Sequence, residues 1–169
     1  MRSMFVALLF ATSLTAADTT LLEGDLGSFV NNLASRTKVA LVDGTDQVGK
    51  VLELRVSEKP EAAWKAQVWT QSLSAPVAAG NSIVVTLKAR CVEPTGSMGQ
   101  LSIVVGQNRP PYQEVLTHPI QIGAEWKEHT FTYVSSLDVP AGQVRVGFLA
   151  GYLIQTVEIA SMTVIIRTP

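Results

Sequence analysis

The chain has 169 residues, of which 47% are hydrophobic and 16% are charged. This composition is enough for one folded domain with a sizeable core, and it argues against intrinsic disorder. Thirteen basic and fourteen acidic side chains leave a formal net charge of -1. Such a balance supplies no whole-chain attraction to nucleic acid or to an anionic membrane, and we expect neither partner.

The first 17 residues have the pattern of a secretory signal peptide. Arg2 provides the positive start, an apolar run extends from Met4 to Ala11, and Ala17 offers a small-residue cleavage site. The apolar run is too short to span a bilayer. We therefore expect residues 1–17 to be removed, and residues 18–169 to form a single domain that is secreted or periplasmic and does not insert into the membrane.

The chain beyond this segment has the pattern of short β-strands. Apolar and polar residues alternate in stretches rich in β-branched side chains, and clusters of Gly, Pro, Asn and Asp separate them. Only residues 22–33 suggest a helical turn. The predicted strands are Lys38–Val42, Val51–Val56, Ala66–Leu73, Ser82–Val92, Gln100–Gly106, Glu114–Ile122, Lys127–Tyr133, Gln143–Ala150 and Thr156–Arg167. So many short strands in one domain indicate an all-β sandwich or barrel.

The last predicted strand contains a carboxylate in a run that otherwise has the pattern of a sheet core. Val157 and Ile159 share one face, so Glu158 points to the other. After Ile159 the large apolar positions shift by one residue, as a β-bulge would cause. Alternation likewise directs Arg90 away from the core. We expect Arg90 and Glu158 to meet on the outer face of one sheet, either as a structural ion pair or as the centre of a ligand groove.

Cys91 is the only cysteine, so the chain cannot form an internal disulfide. It shares the parity of Ile83, Val85 and Leu87, which predicts a small core residue. A reactive thiol or an intermolecular disulfide is the alternative.

Several fragments, in this order and spacing, resemble carbohydrate-binding modules of families 4, 9 and 22. They are Gly49–Val56, Trp64–Trp69, Ala79–Arg90, Pro111–Tyr112, Glu125–Phe131, Val144–Gly151 and Val157–Val164. The chain is most similar to the domain ahead of bacterial family-10 glycoside hydrolases, where endings like Gln155–Ile159 and Ala89–Arg90 recur. The resemblance covers roughly residues 20–167. It implies a galactose-binding-like jelly roll, a β-sandwich of two antiparallel sheets.

Two positions depart from the pattern of these families. Ala160 and Ser161 stand where an Asp is usual, and Ile83 stands where a Tyr is frequent. Neither a calcium-linked carboxylate nor a ligand-contacting aromatic residue is therefore carried over there. We expect no cofactor and no metal, and a structural calcium ion is left open because the sequence does not indicate one.

The sequence does not indicate an enzyme. The two histidines, His118 and His129, have no partner at the spacing of a triad or a metal site. Sequence signatures of hydrolases, metalloproteases and phosphate-binding loops are missing. The carboxylates show no pairing that would place two of them across a glycosidic bond. We expect no catalytic residues.

Binding of a poly- or oligosaccharide suits the residues best. Sugar rings stack on aromatic side chains, and their hydroxyls need fixed hydrogen-bond donors and acceptors. A proline-stiffened loop, Gln107–Tyr112, suits the rim of such a site because ordering it on binding costs little entropy. The candidate ligand-binding residues are Trp64, Gln67, Arg90, Asn108, Arg109, Tyr112, Gln155 and Glu158.

Two functions are compatible with the sequence. The first is a secreted, non-catalytic, polysaccharide-binding module. The second is a structural or protein-interaction β-sandwich of the cell envelope that does not bind sugar. The identity of the sugar and the oligomeric state are left open.

Overall fold

A computed structural model shows two antiparallel β-sheets that face each other across a hydrophobic core. The structure describes residues 18–24, 26–29, 37–45 and 48–169. The predicted signal peptide lies outside these residues. No helix in the described part of the chain is long and apolar enough to cross a membrane. The predicted all-β sandwich is confirmed.

Ten strands and two short 3-10 helices, Leu26–Phe29 and Ala63–Lys65, make up the described elements. The strands are β1 (Asp18–Glu23), β2 (Thr37–Asp43), β3 (Lys50–Val56), β4 (Gln67–Trp69), β5 (Ser82–Glu93), β6 (Gly99–Gln107), β7 (Glu114–Ile122), β8 (Lys127–Val134), β9 (Val144–Leu149) and β10 (Gln155–Arg167).

Each predicted strand corresponds to an observed one, with two differences. The strand predicted from Ala66 to Leu73 is shortened to β4, because the chain beyond Trp69 returns to β9 only through isolated contacts such as the Leu73–Val144 bridge. β1 was not predicted. Its buried positions are too few to show alternation, since only Leu22 is fully buried in it. The suggested helical turn corresponds to the short helix Leu26–Phe29.

Sheet A has the strand order β2-β3-β10-β5-β8, and β1 pairs with the C-terminal half of β10. Sheet B has the order β4-β9-β6-β7. The pairing of β10 with β5 shifts register between Ile159 and Ser161, so the predicted β-bulge is confirmed. The bulge keeps Val157 and Met162 both fully buried, although they differ in parity.

The space between the sheets is filled by aliphatic side chains from both inner faces. The pair Phe29 and Phe148 lies among them, with ring centroids 5.2 Å apart. Cys91 is 2% exposed and belongs to this core, as predicted. Burial raises the pKa of its thiol, which favours the protonated, less nucleophilic form.

The two histidines are packed residues near the edge of the sandwich. His118 stacks on Phe131 with ring centroids 4.1 Å apart. Burial, with a smaller contribution from the charge of Lys127, lowers the pKa of His129 and favours its neutral form. Neither histidine belongs to a cluster of three or more His, Cys, Asp or Glu residues within the described ranges.

Candidate functional site

The outer face of sheet B carries rows of side chains that cross its strands in register. One row is Gln67, Leu149, Ser102 and Pro119, and the next is Trp69, Gly147, Val104 and Thr117. Arg145 and Gly106 begin a third row. These positions alternate with Ile103, Val105 and Phe148, which belong to the core. The rows therefore face away from sheet A.

A layer of larger side chains covers this face. Ser102 is 1% exposed and Val104 has no exposed surface, although both point away from the core. The Tyr152 hydroxyl lies 2.6 Å from Ser102 Oγ. The Trp69 indole packs on Gly147 so closely that a Cβ atom there would lie 2.4 Å from the ring. Solvent therefore meets this layer of aromatic and polar side chains and not the strand residues beneath it.

Trp69, Gln67 and Arg145 form one cluster within this layer, which we call the Trp69 cluster. Trp69 Nε1 donates a hydrogen bond to Gln67 Oε1 at 2.8 Å, which fixes the orientation of the indole. Arg145 Cζ lies 3.9 Å from the centroid of the Trp69 ring. This is the close range of a cation–π contact. The cluster combines a large aromatic surface with amide and guanidinium groups.

Aromatic residues also lie at both ends of this face. Backbone bonds from Ala150 and Gly151 tie the Trp64 segment to the end of β9, where Tyr152 follows. Trp64 is 57% exposed there. The loop that joins β6 to β7 carries Tyr112, which is 58% exposed, at the opposite end. Ser102 and Gly106 are four positions apart in β6, so the two ends are about 13 Å apart along the strands.

The loop residues predicted to contact a ligand differ in how firmly the rest of the protein holds them. Asn108 is held by its side chain to the Ser72 hydroxyl and by its backbone N–H to the Gln143 carbonyl at 2.9 Å. Arg109 is exposed. Tyr112 has a φ of 55°, the only positive value among described residues other than glycine. Such conformations are costly for residues with a side chain and are enriched at binding sites.

Arg90 and Glu158 meet, as the alternation predicted, but on the other sheet. Arg90 Nε and Nη2 both lie 2.8 Å from Glu158 Oε2, on the outer face of sheet A. Arg90 also donates to the Thr45 hydroxyl at 2.6 Å and stacks on Trp126, with Cζ 4.6 Å from the ring centroid. The guanidinium is thus engaged by the protein itself.

Gln155 is 2% exposed and joins the two sheets. Its Oε1 accepts from the Gln100 backbone N–H at 2.8 Å, and its Nε2 donates to the Gln100 and Ala150 carbonyls at 2.7 Å each. With these bonds made inside the protein, Gln155 is placed as a structural residue and not at a solvent-facing groove.

The structure therefore divides the predicted site residues between two faces instead of one groove. Trp64, Gln67, Asn108, Arg109 and Tyr112 lie on or around the outer face of sheet B, whereas Arg90 and Glu158 lie on sheet A. Sequence reasoning did not select Trp69, Arg145 or Tyr152. The shared parity of Gln67 and Trp69 was a signal for the first of these.

Two pockets that open to solvent lie in the described part of the chain. The larger has a volume of about 460 Å³ and is lined by Leu21, Leu22, Glu23, Gly27, Ser28 and residues 71–73. The smaller, about 230 Å³, lies beside Arg90 and Cys91. The rows on the outer face of sheet B line neither of these pockets, so a ligand bound there would lie along the sheet surface.

Comparison with known proteins shows similarity in structure alone. No family model matches the sequence, and no curated protein matches it. The second N-terminal cellulose-binding domain of Cellulomonas fimi β-1,4-glucanase C matches 90% of this chain and 97% of its own length, at 18% identity and a TM-score of 0.64. The CBM22-1 xylan-binding domain of Paenibacillus barcinonensis Xyn10C matches 89% of this chain and 96% of its own length, at 12% identity and a TM-score of 0.57.

A third similar structure contains a catalytic module beside the binding module. It is the CBM22-1–GH10 part of Clostridium thermocellum endo-1,4-β-D-xylanase 10B, solved with xylohexaose. It matches 90% of this chain and 29% of its own length, at 10% identity and a TM-score of 0.61. The predicted resemblance to carbohydrate-binding modules, including one attached to a family-10 hydrolase, is confirmed at the level of the fold.

Proposed function

We propose that this protein is a secreted, non-catalytic module that binds a polysaccharide or oligosaccharide on the outer face of sheet B. The observation that carries the proposal is the Trp69 cluster, which lies between Trp64 and Tyr152 at one end and Tyr112 at the other. A sugar presents an apolar surface of C–H groups and a set of hydroxyls. The aromatic surface suits the first, and the adjacent amide and guanidinium groups suit the second.

The fold supports this proposal by analogy. Cellulose and xylan are the polymers named for the similar structures described above, so they are the first ligands to test. Similarity of fold does not transfer a ligand, and the proposal therefore depends on the residues of the face itself. Localisation outside the cytoplasm rests on the signal-peptide pattern of residues 1–17.

Binding can be measured by affinity electrophoresis and calorimetry with soluble xylan and hydroxyethyl cellulose. Trp69→Ala is expected to weaken binding by about thirtyfold, or about 2 kcal/mol, since central aromatic anchors dominate such interfaces. Tyr112→Ala and Trp64→Ala are expected to weaken it less, because each removes a contact at one end only.

Tyr133→Ala is the matched control, since Tyr133 is a 37%-exposed tyrosine on β8 of the other sheet. It should bind like the unaltered protein. Absence of binding to every polysaccharide in a broad panel by the unaltered protein would overturn the proposal and favour the structural or protein-interaction function.

A further inference from the structure

Each sheet carries a partly buried arginine stacked on a tryptophan, but only one of the two has a carboxylate beside it. Arg90 stacks on Trp126 and pairs with Glu158 at 2.8 Å. Arg145 stacks on Trp69 at 3.9 Å. In the described part of the chain, no carboxylate forms an ion pair with the Arg145 guanidinium, and no acceptor forms a hydrogen bond with it.

The charge of Arg145 is therefore incompletely compensated. Removing a guanidinium from water costs free energy unless an opposite charge or hydrogen-bond acceptors replace the water. The Trp69 ring offsets part of this cost. However, Arg145 Nε is shielded from solvent and has no acceptor among the described residues.

The electrostatics of the site agree with this geometry. Burial lowers the pKa of Arg145, while the Tyr112 phenol acts in the opposite direction. The ordinary pKa of arginine is so high that Arg145 still carries its charge at neutral pH. Arg109, on the adjacent loop, is a second cation without an ion pair among the described residues. The nearest strand end contributes Glu114, whose carboxylate accepts a hydrogen bond from Thr117 at 2.5 Å.

We propose that the ligand supplies the missing carboxylate, so that the polysaccharide bound on the outer face of sheet B is one that contains uronic acid residues. This inference rests on the proposed function. The planar guanidinium of Arg145 matches a carboxylate better than it matches a single hydroxyl, and charge-assisted hydrogen bonds of this kind are stronger than neutral ones. The Trp69 indole, held by Gln67, positions the guanidinium, and the exposed rings of Trp64 and Tyr112 would stack on sugar rings.

The direct test compares a glucuronoxylan with the same polymer after chemical reduction of its carboxyl groups. The two ligands share backbone and length and differ only in charge. The unaltered protein should bind the native polymer about tenfold or more tightly, the gain expected of one charge-assisted pair. That preference should shrink as sodium chloride is raised, because salt screens charge pairs that solvent can reach.

Arg145→Gln should remove the preference for the native polymer, with its thermal unfolding measured to confirm that it folds. Arg167→Gln is the matched control, because Arg167 is an exposed arginine at the end of sheet A. It should retain the preference. If Arg145→Gln does not fold, the carboxyl-reduction and salt experiments on the unaltered protein still decide the question.

The outcomes separate this inference from the proposed function. Equal affinity for the native and reduced polymers would overturn the uronate inference and leave polysaccharide binding intact. If the protein prefers dextran sulfate to dextran but does not prefer the native glucuronoxylan, the anionic group that it recognises is a sulfate ester and not a carboxylate. That outcome would also overturn the uronate inference. Failure to bind any polysaccharide, charged or neutral, would overturn the proposed function itself.

Discussion

The outer face of sheet A and the outer face of sheet B contain similar residues in different states of pairing. On sheet A, Arg90 and Glu158 have side chains that are 16% and 10% exposed and neutralise each other. Thr45 and Trp126 also contact Arg90. The pair satisfies its own charges, so the outward direction of these two residues has a sufficient structural explanation.

On sheet B, the corresponding arginine is stacked but not neutralised. Arg145 contacts the Trp69 ring, and Gln67 is used to orient that ring. The difference between the faces teaches that a charged residue on an outer sheet face is weak evidence for a site. An unused bonding capacity beside an aromatic surface is stronger evidence, since ligand binding can then replace a missing partner.

The largest expected effect on stability comes from breaking the pair on sheet A. Glu158→Gln keeps the shape of the side chain and removes its charge, which leaves Arg90 partly buried without its counterion. We expect the free energy of unfolding to fall by about 3 kcal/mol, as is found when one partner of a buried pair is removed. Urea denaturation would measure it. Polysaccharide binding should be unchanged, because this residue lies on the opposite face.

The double variant Arg90→Met with Glu158→Leu provides the control for this prediction. Replacing both charges by apolar side chains of similar volume leaves no uncompensated charge, so part of the lost stability should return. A double variant less stable than Glu158→Gln would contradict the charge explanation. Weaker polysaccharide binding by Glu158→Gln would instead mean that the outer face of sheet A is part of the binding site.

The fold was largely predictable because each strand carries its own alternation. In β5, every second residue from Ile83 to Cys91 is buried, and the sequence shows this pattern directly. The register shift after Ile159 was visible for the same reason. β1 was not predictable in this way. It is an edge strand whose single buried residue, Leu22, gives no periodic signal, and its place beside β10 depends on pairing across nearly the whole chain.

The site was only partly predictable because alternation gives the face of a strand but not the sheet to which the strand belongs. Arg90 and Glu158 were correctly paired. The assignment of Gln67 to the same groove was wrong because β4 pairs with β9 in sheet B. Arg145 lies between two core valines, so its outward direction was visible. Its contact with Trp69 depends on the pairing of strands that are about 75 residues apart in the sequence.

A methyl group added beneath the Trp69 indole is expected to lower stability less than Glu158→Gln does, and to have a clear effect on polysaccharide binding. A Cβ atom at Gly147 would lie 2.4 Å from the indole and 2.6 Å from the Val68 carbonyl oxygen. Gly147→Ala must therefore displace the ring or the neighbouring strand. We expect a loss of about 2 kcal/mol in the free energy of unfolding, typical of overpacking, together with weaker polysaccharide binding.

Gly123→Ala is a suitable control for this substitution. The nearest heavy atom to a Cβ atom at Gly123 is the Met98 sulfur at 3.8 Å, an ordinary contact distance. This variant should keep both stability and binding close to those of the unaltered protein. Gly147→Ala with unchanged polysaccharide affinity would show that the position of the Trp69 indole does not matter for the ligand.

The smallest expected effect tests how completely sheet A satisfies Arg90. Thr45→Val removes the hydroxyl that accepts from Arg90 Nη2 at 2.6 Å and preserves the shape of the side chain. Because this hydrogen bond is exposed, water can take the place of the hydroxyl, and we expect a loss of only about 0.5–1 kcal/mol.

Thr86→Val is the matched control, since Thr86 shares a neutral, exposed hydrogen bond with Thr130 at 3.2 Å on the same face. Its denaturation curve should shift less than that of Thr45→Val. Equal shifts would mean that Glu158 and Trp126 alone compensate Arg90, and the contrast with Arg145 would then depend on the carboxylate alone.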